Sequence, residues 1–338
     1  MKNKRYLLHS IKKQHKLLIG VILACLLLMT CTIDHDKKTH VGILIGLDFA
    51  SATADGFKAG MAKLGYVEGH NIHYDTRVSD FDRDAYKHAI RKFVTDKVDL
   101  IFVFPTEATI VAKKVTQGSG IPVVFAIANI EGIDLVNSVR QPGGNITGVR
   151  YPGPDIAVKR FEIMREMAPH AKRIWLPYQR GYSIVAAQLE ALYPLAAKEG
   201  ITLIEAPADN AAELETYLQA HAHSDVIDID FIMLLVEPLV VTPDATAVVG
   251  KFATAHKIPI GGMLLTGGQG SVFELNVDMA NDGRDAAQLA DKILKGTPAG
   301  AIPVISSESF LRVDYTAAKK LGLNVSEGLL GQANEIIR

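Results

Sequence analysis

From residue 41 onward the chain alternates short apolar runs with runs of helical length, and it does so in two long series. The first series runs "HVGILIGL", "ATADGFKAGMAKLGY", "NIHYDTRV", a helix from about Arg83 to Thr95, "DLIFVF", "TEATIVAKKVTQG" and "IPVVFAI". Phe57, Met61 and Leu64 recur at helical spacing in the second of these, whereas the strand runs are too short and too uniformly apolar for a half-buried helix. Strands that alternate with helices and are apolar on both faces require a parallel sheet covered on each side. That grammar restricts the chain to the α/β class.

The grammar then restarts. "RFEIMREMA", "RIWLPY", "SIVAAQLEALYPLAAKEG", "ITLIEA", "AAELETYLQAHA", "DFIMLLV", "TPDATAVVGKFATAHK" and "IPIGGML" repeat the rhythm. Between the two series lies "SVRQPGGNITGV", where Pro142-Gly143-Gly144-Asn145 marks a turn, because proline presets one turn dihedral and glycine admits a positive φ. The sequence places the change of domain there. It predicts a first lobe over 41–146, a second over 147–270, and a remainder, 271–338, that is too short for a third domain. "SVFELNVD", a helix from Asp282 to Leu294 and "SFLRVDY" then return to complete both sheets, which makes a hinge with a cleft.

The chain has 338 residues, enough for two domains of ordinary size. Residues 1–30 carry Lys2, Lys4, Arg5, Lys12, Lys13 and Lys16 and no acid; without them 30 basic residues face 37 acidic ones, a formal charge of −7. Such a surface repels nucleic acid. The basic head leads into "LLIGVILACLLLMTC", the layout of a signal peptide over 1–30. Its end resembles the recognition box of bacterial lipoproteins, cut before a lipid-modified Cys31, with Thr30 where Gly, Ala or Ser is usual. A second box before Cys25, ordinary cleavage and a retained signal anchor stay open. Residues 31–40 read as a polar tether. Both cysteines lie in the leader, so the body has no disulfide framework, cysteine metal site or thiol nucleophile.

The first strand is followed by "GLDFAS" with no G-x-G-x-x-G, and the chain lacks G-K-[ST], G-x-S-x-G and H-E-x-x-H. No cofactor, metal or enzymatic activity is therefore expected. The enzyme alternative is a carboxylate-dependent hydrolase or isomerase of sugars or nucleotides that uses Asp48 and Glu237. Ligands of open α/β sheets sit beyond the carboxyl ends of the strands. The candidates there are Asp48, Ser51 and Thr53 after the first strand, Thr106 after "DLIFVFP", Asn129 after "IPVVFAI" and Glu237 after "DFIMLLV". Hydroxyls and helix-start N–H groups suit a carboxylate, and Glu237 suits an ammonium. Phe49, Tyr151, Tyr178 and Tyr182 fall in the same loops and suit a small organic ligand.

"ADGFKAGMAKLGYVEGHNI", "DKVDLIFVFPTEAT", "IPVVFA", "QPGGNITGV" and "ILKGTPAGAIPV" resemble the substrate-binding proteins of ABC transporters that include binders of tryptophan and other amino acids. The resemblance runs from about 41 to 323. It implies the type I periplasmic-binding fold: two Rossmann-like lobes with parallel sheets, three crossovers and a cleft that closes on a small ligand, in an exported, monomeric, lipid-anchored protein. The implied ligand is an amino acid or an amino-acid-like metabolite. The implied partner is an ABC permease and its ATPase, with a membrane sensor as the alternative. By the resemblance, Asp48 to Asp55 form the first ligand loop, Thr106 contacts the ligand's polar end, and Asp278 joins the site. Asn129 stands where the family often has aspartate, Pro238 replaces an asparagine, and two tyrosines near Asp278 are missing. These departures fall on the ligand loops, which weakens the case for an aromatic amino acid.

Overall fold

The computed structural model describes residues 38–79, 81–222, 227–267 and 269–338. The leader, Cys31 and most of the tether lie outside the described residues. Among the described residues no helix is long and apolar enough to cross a membrane.

The first lobe is built from β1 (Thr39–Ile45), α1 (Ala52–Lys63), β2 (Ile72–Val78), α2 (Arg83–Thr95), β3 (Leu100–Phe104), α3 (Thr106–Val115), β4 (Val123–Ala128) and β5 (Ile146–Arg150). Alternation along β1 sorts its side chains. Val41, Ile43 and Ile45 pack with Phe57 and Met61 of α1, and Leu44 packs with Tyr86, Ile90 and Phe93 of α2. Every residue of β3 is buried, as a strand covered on both faces requires. The Asp82 carboxylate caps α2 by accepting the N–H groups of Asp84 and Ala85.

The second lobe follows with α4 (Gly153–Met167), β6 (Arg173–Gln179), α5 (Val185–Glu199), β7 (Thr202–Ala208), α6 (Ala211–His221), β8 (Phe231–Leu234), α7 (Pro243–His256), β9 (Ile260–Gly262) and β10 (Ser271–Val277). The chain then returns to the first lobe as α8 (Met279–Leu294) and β11 (Ile305–Ser306). It ends in the second lobe as β12 (Ser309–Asp314), α9 (Tyr315–Lys320), α10 (Glu327–Gln332) and β13 (Glu335–Ile337). The two sheets are ordered β11-β5-β4-β3-β1-β2 and β13-β12-β10-β9-β8-β6-β7. Three strands of chain therefore join the lobes, after β5, before α8 and between β11 and β12.

The structure corrects two expectations and adds a detail to the parallel sheets. The Pro-Gly-Gly-Asn turn does not change lobe. Gly143 and Gly144 take φ values of 75° and 58°, and the strand that follows pairs with β4. The crossing comes after it, at Tyr151–Pro152, so the first lobe runs to Arg150. A turn signal fixes a change of direction but not the sheet the next strand joins. The tether is also shorter, because Thr39 and His40 already pair with Ile72 and His73. The second sheet is not wholly parallel: β12 runs antiparallel to β10. It enters that lobe from the hinge, where β10 ends, and so runs opposite to β10, while β13 pairs parallel to it.

Helix α8 docks on the first lobe against α1. A Cβ on Gly56 would stand 2.0 Å from the Ala280 carbonyl oxygen, and one on Gly283 would stand 2.0 Å from that of Thr53. Only glycine at both positions lets the two backbones approach this closely. Beside this contact, Asp282 is 1% exposed; its Oδ2 accepts the Ser307 hydroxyl at 2.7 Å, and its Oδ1 has no partner. Burial pushes its carboxyl up to about 8; the Ser307 hydrogen bond opposes that shift, and the charges of Asp285, Asp278 and Glu308 reinforce it.

Candidate functional site: a cleft between the lobes

The carboxyl ends of the strands in both sheets meet at a cavity of about 70 Å³. The first lobe supplies Leu47, Phe49 and Ala50 from the β1–α1 loop, Phe81 after β2, Pro105 and Thr106 after β3, and Ile127 and Asn129 at the end of β4. Tyr151 stands at the crossing. The second lobe supplies Tyr182 and Ile184 after β6, Val236, Glu237, Pro238 and Val241 after β8, Met263 after β9, and Asn276 before the second crossing. Met279 closes the wall from α8. The volume is about half of the roughly 150 Å³ that holds a benzene ring.

The polar groups on this wall are held by the fold. The Thr106 hydroxyl accepts the Asn129 N–H at 3.0 Å, tying the ends of β3 and β4 together while keeping its own proton to donate. Asn129 is 4% exposed, and its Oδ1 would be only 2.3 Å from a Cβ on Gly153, so glycine there lets α4 start against it. Ile127 has a φ of 50°, rare for a β-branched residue, at the point where the β4–β5 register shifts. Such outliers collect where a surrounding structure imposes them, commonly at ligand sites.

Glu237 is 3% exposed. Its Oε2 accepts the N–H groups of Gln179 and Leu239, each at 2.8 Å, and its Oε1 accepts that of Val240. Burial raises its pKa above the ordinary carboxylate value, and the three backbone donors pull against that rise. Gln188, fully buried in α5, holds the same loop: it exchanges hydrogen bonds with the backbone N–H and carbonyl of Val236, each at 3.0 Å. Behind the cavity, the buried Arg160 donates to the Leu275 carbonyl from Nε and Nη2 and to the Tyr151 hydroxyl at 3.1 Å. Tyr151 donates in turn to Asn276 Oδ1 at 3.2 Å.

Phe49, Thr106, Asn129 and Glu237 are thus brought together on one wall, with Tyr151 and Tyr182. Other residues expected at the site stand elsewhere. Asp48 and Ser51 bond to one another in an exposed turn, where the Ser51 hydroxyl donates to the Asp48 carbonyl and carboxylate. Thr53 is fully buried with its hydroxyl unpartnered, on the part of α1 that meets α8, outside the cavity wall. The Tyr178 hydroxyl donates to Glu205 at 2.7 Å on β7. Asp278 caps α8 by accepting the Asn281 N–H, with Arg284 at 3.7 Å. Tyr178 lies within β6 and the others follow a strand or start a helix, but none of them lines the cavity. Sequence reasoning passed over Gln188, Arg160 and Asn276, whose roles depend on long-range partners.

The model of a family described as ABC transporter substrate binding protein matches residues 38–337. The chain belongs to that family. A tyrosine-binding protein of Clostridioides difficile is 28% identical over 280 residues, covering 80% of this chain and 77% of that one. Among solved structures, a conserved domain protein of Vibrio cholerae is 26% identical with a TM-score of 0.74, covering 89% of this chain and 99% of its own. An ABC domain from Streptococcus pneumonia in complex with L-Trp is 21% identical with a TM-score of 0.76, covering 89% and 100%, a likeness of fold. The fold is the two-lobed α/β architecture of solute-binding proteins, and the family's members are extracytoplasmic. This chain has its apolar cavity between its two lobes.

Proposed function

We propose that this protein captures an amino acid or an amino-acid-like metabolite with an apolar or aromatic body and delivers it to an ABC permease. The observation that carries the reading is the cavity itself. It lies at the carboxyl ends of strands from both lobes and is walled by Phe49, Phe81, Tyr151 and Tyr182, with few polar groups among them. The tyrosine-binding relative supports the ligand class. Phe49, Thr106, Asn129 and Glu237 are the proposed contacts. A ligand that touches both lobes favours the closed arrangement, and closure is the signal a permease or a membrane sensor reads. The protein performs no chemistry on its solute and acts as a monomer.

Calorimetry with an amino-acid panel tests the reading. Phe49 is 48% exposed although it lines the cavity, so Phe49→Ala leaves the fold intact. The variant is expected to lose about tenfold in affinity, about 1.4 kcal/mol, at an unchanged melting temperature. Conversion of the recovered ligand to a new product by the purified protein would contradict the binding role.

The basic, apolar leader supports export with a lipid on Cys31. Intact-mass measurement of membrane-extracted protein is expected to show an acylated chain beginning at Cys31, and an unmodified chain that keeps Met1 would contradict it.

A further inference from the structure

One short run of hydrogen bonds ties together the three segments that join the lobes. Arg150 ends the first lobe, Asp282 sits in the first turn of α8 just past the second crossing, and Ser307 lies between β11 and β12. The Arg150 carbonyl accepts the Ser307 N–H at 3.0 Å, and the Ser307 hydroxyl stands 3.1 Å from that carbonyl and 2.7 Å from Asp282 Oδ2. Ser307 is 7% exposed and Asp282 1%, so bulk solvent does not reach either side chain. Ser307 follows directly on β11, which pairs in the first sheet, and stands two residues before β12, which pairs in the second. On this crossing, a change in the angle between the lobes is taken up at Ser307 and Glu308.

The number of protons decides the state of the link. A serine hydroxyl has one proton, and here it faces two acceptors whenever Asp282 is ionised. The carboxylate then takes that proton, the Arg150 carbonyl keeps only the Ser307 N–H, and Oδ1 is left charged and unpartnered in the interior. With a proton on Oδ2 the bonds run in one direction: Oδ2 donates to Ser307 Oγ, and Ser307 donates to Arg150. Oδ1 is then a neutral carbonyl oxygen, which costs far less to bury.

The surroundings favour the proton as well. α8 brings Asp278 and Asp285 near the carboxyl and the third crossing brings Glu308, and all three disfavour its ionisation. Arg284 of α8 stands 3.7 Å from Asp278, and the Arg150 guanidinium turns to Glu131, Asp155 and Ser306. α1 meets α8 through Thr53, Gly56, Phe57 and Gly60, and β4 reads "VVFAIA", so neither element faces Asp282 with a charge. A helix start favours an anion, and Asp278 already fills that role by capping α8. Burial first, and then the three acids, push the Asp282 carboxyl up to about 8 against the pull of the Ser307 hydrogen bond.

We propose that the Asp282–Ser307–Arg150 link is a proton-dependent latch on the hinge, fastened while Asp282 is protonated and released when it ionises, so that the lobes hold a solute more weakly as pH rises. The effect on capture rests on the reading of the cleft as the solute site; the latch itself does not. Linkage fixes the sign. The fastened arrangement keeps the Asp282 proton up to about 8, whereas a released one, with the carboxyl in water, loses it near the ordinary value of 3.8. Between those values the fastened form binds one more proton and gains as pH falls.

The test is hydrogen exchange on the full chain in detergent, without solute, at pH 6 and pH 8, corrected for the intrinsic rate at each pH. Peptides spanning 150–152, 277–282 and 306–309 are expected to exchange at least about fivefold faster at pH 8 than at pH 6. Asp282→Asn, which cannot ionise, is expected to abolish that difference, and Ser307→Ala to bring the rate at pH 6 up to that of the natural chain at pH 8. An acid with a merely structural role would leave the local opening of the crossings independent of pH. Calorimetry with L-tyrosine, L-tryptophan and L-phenylalanine reads the consequence: an amino acid that binds is expected to lose about fivefold or more in affinity from pH 6 to pH 8 on the natural chain, and none on Asp282→Asn. The latch is overturned if corrected exchange at the crossings is the same at both pH values, or if Asp282→Asn keeps the difference. Should that variant not fold, Ser307→Ala crossings that exchange as slowly as the natural chain's at pH 6 overturn it. An affinity independent of pH, with exchange that does depend on it, overturns the effect on capture. Binding of none of the three amino acids overturns the proposed ligand class alone, because exchange decides the latch.

Discussion

The carboxylate of Glu237 accepts the backbone N–H of Gln179 at 2.8 Å, so the loop after β8 is fastened to the end of β6 by the side chain that also faces the cavity. One residue thus shapes the second lobe's half of the cleft and lends it negative charge. Replacing it by alanine strands three backbone donors, two of them on the buried residues Leu239 and Val240. Glu237→Ala is expected to lower stability by at least about 2 kcal/mol in chemical denaturation, because each unpaired buried donor costs about 1–3 kcal/mol. Unchanged stability would mean that the loop is held by other contacts.

Thr106 plays the corresponding part in the first lobe. Thr106→Ala removes the acceptor of the Asn129 N–H in a site only 2% exposed. A loss of about 1–3 kcal/mol is expected, together with weaker solute binding of about tenfold. Thr106→Ser, which keeps the hydroxyl, is expected to restore both readouts.

Asp282 gives a pH dependence whose sign is fixed. Its carboxyl is raised from 3.8 to about 8 in the fold, so between those values the folded chain holds a proton that the unfolded chain has lost. Its contribution is therefore fully present below about pH 4 and declines as pH rises toward 8. Asp282→Asn keeps an acceptor for Ser307 and removes the titration. The variant is expected to be more stable than the natural chain at pH 8, by about 2 kcal/mol, and little different at pH 4, as read from melting temperatures across that range. A difference independent of pH would contradict the assignment.

The close crossing of α1 and α8 predicts a steric penalty. Gly283→Ala places a methyl group 2.0 Å from the Thr53 carbonyl oxygen, a contact no rotamer change relieves. A destabilisation of about 1–3 kcal/mol is expected from the helices being forced apart. Gly65→Ala meets no atom but occupies a φ of 96°, so its smaller penalty separates backbone conformation from crowding.

The α/β class and most elements were legible because strands buried on both faces, such as "LIFVF", admit no other reading. The position of a residue after a strand was legible too, and Phe49, Thr106, Asn129 and Glu237, singled out on that ground, line the cavity. Which side of the loop faces the cleft was not, since local pattern carries no information on the direction a turn takes. Asp48 and Ser51 close on one another for that reason, and Asp278 turns its carboxylate to a helix N-terminus. Tyr178 lies in β6, and its hydroxyl follows the alternation of the strand toward Glu205. The lobe boundary was misplaced because "ITGV" is too short to announce its neighbour. Pairing with β4 is a tertiary fact.

The most direct test of solute capture between the lobes is a co-crystal structure with the tightest ligand from the amino-acid panel. The account predicts electron density beyond the carboxyl ends of β3, β4, β6 and β8, in contact with Phe49 and Thr106 on one side and Tyr182 and Glu237 on the other. A ligand seated on the outer face of a single lobe, with the space between these four residues unchanged, would contradict it.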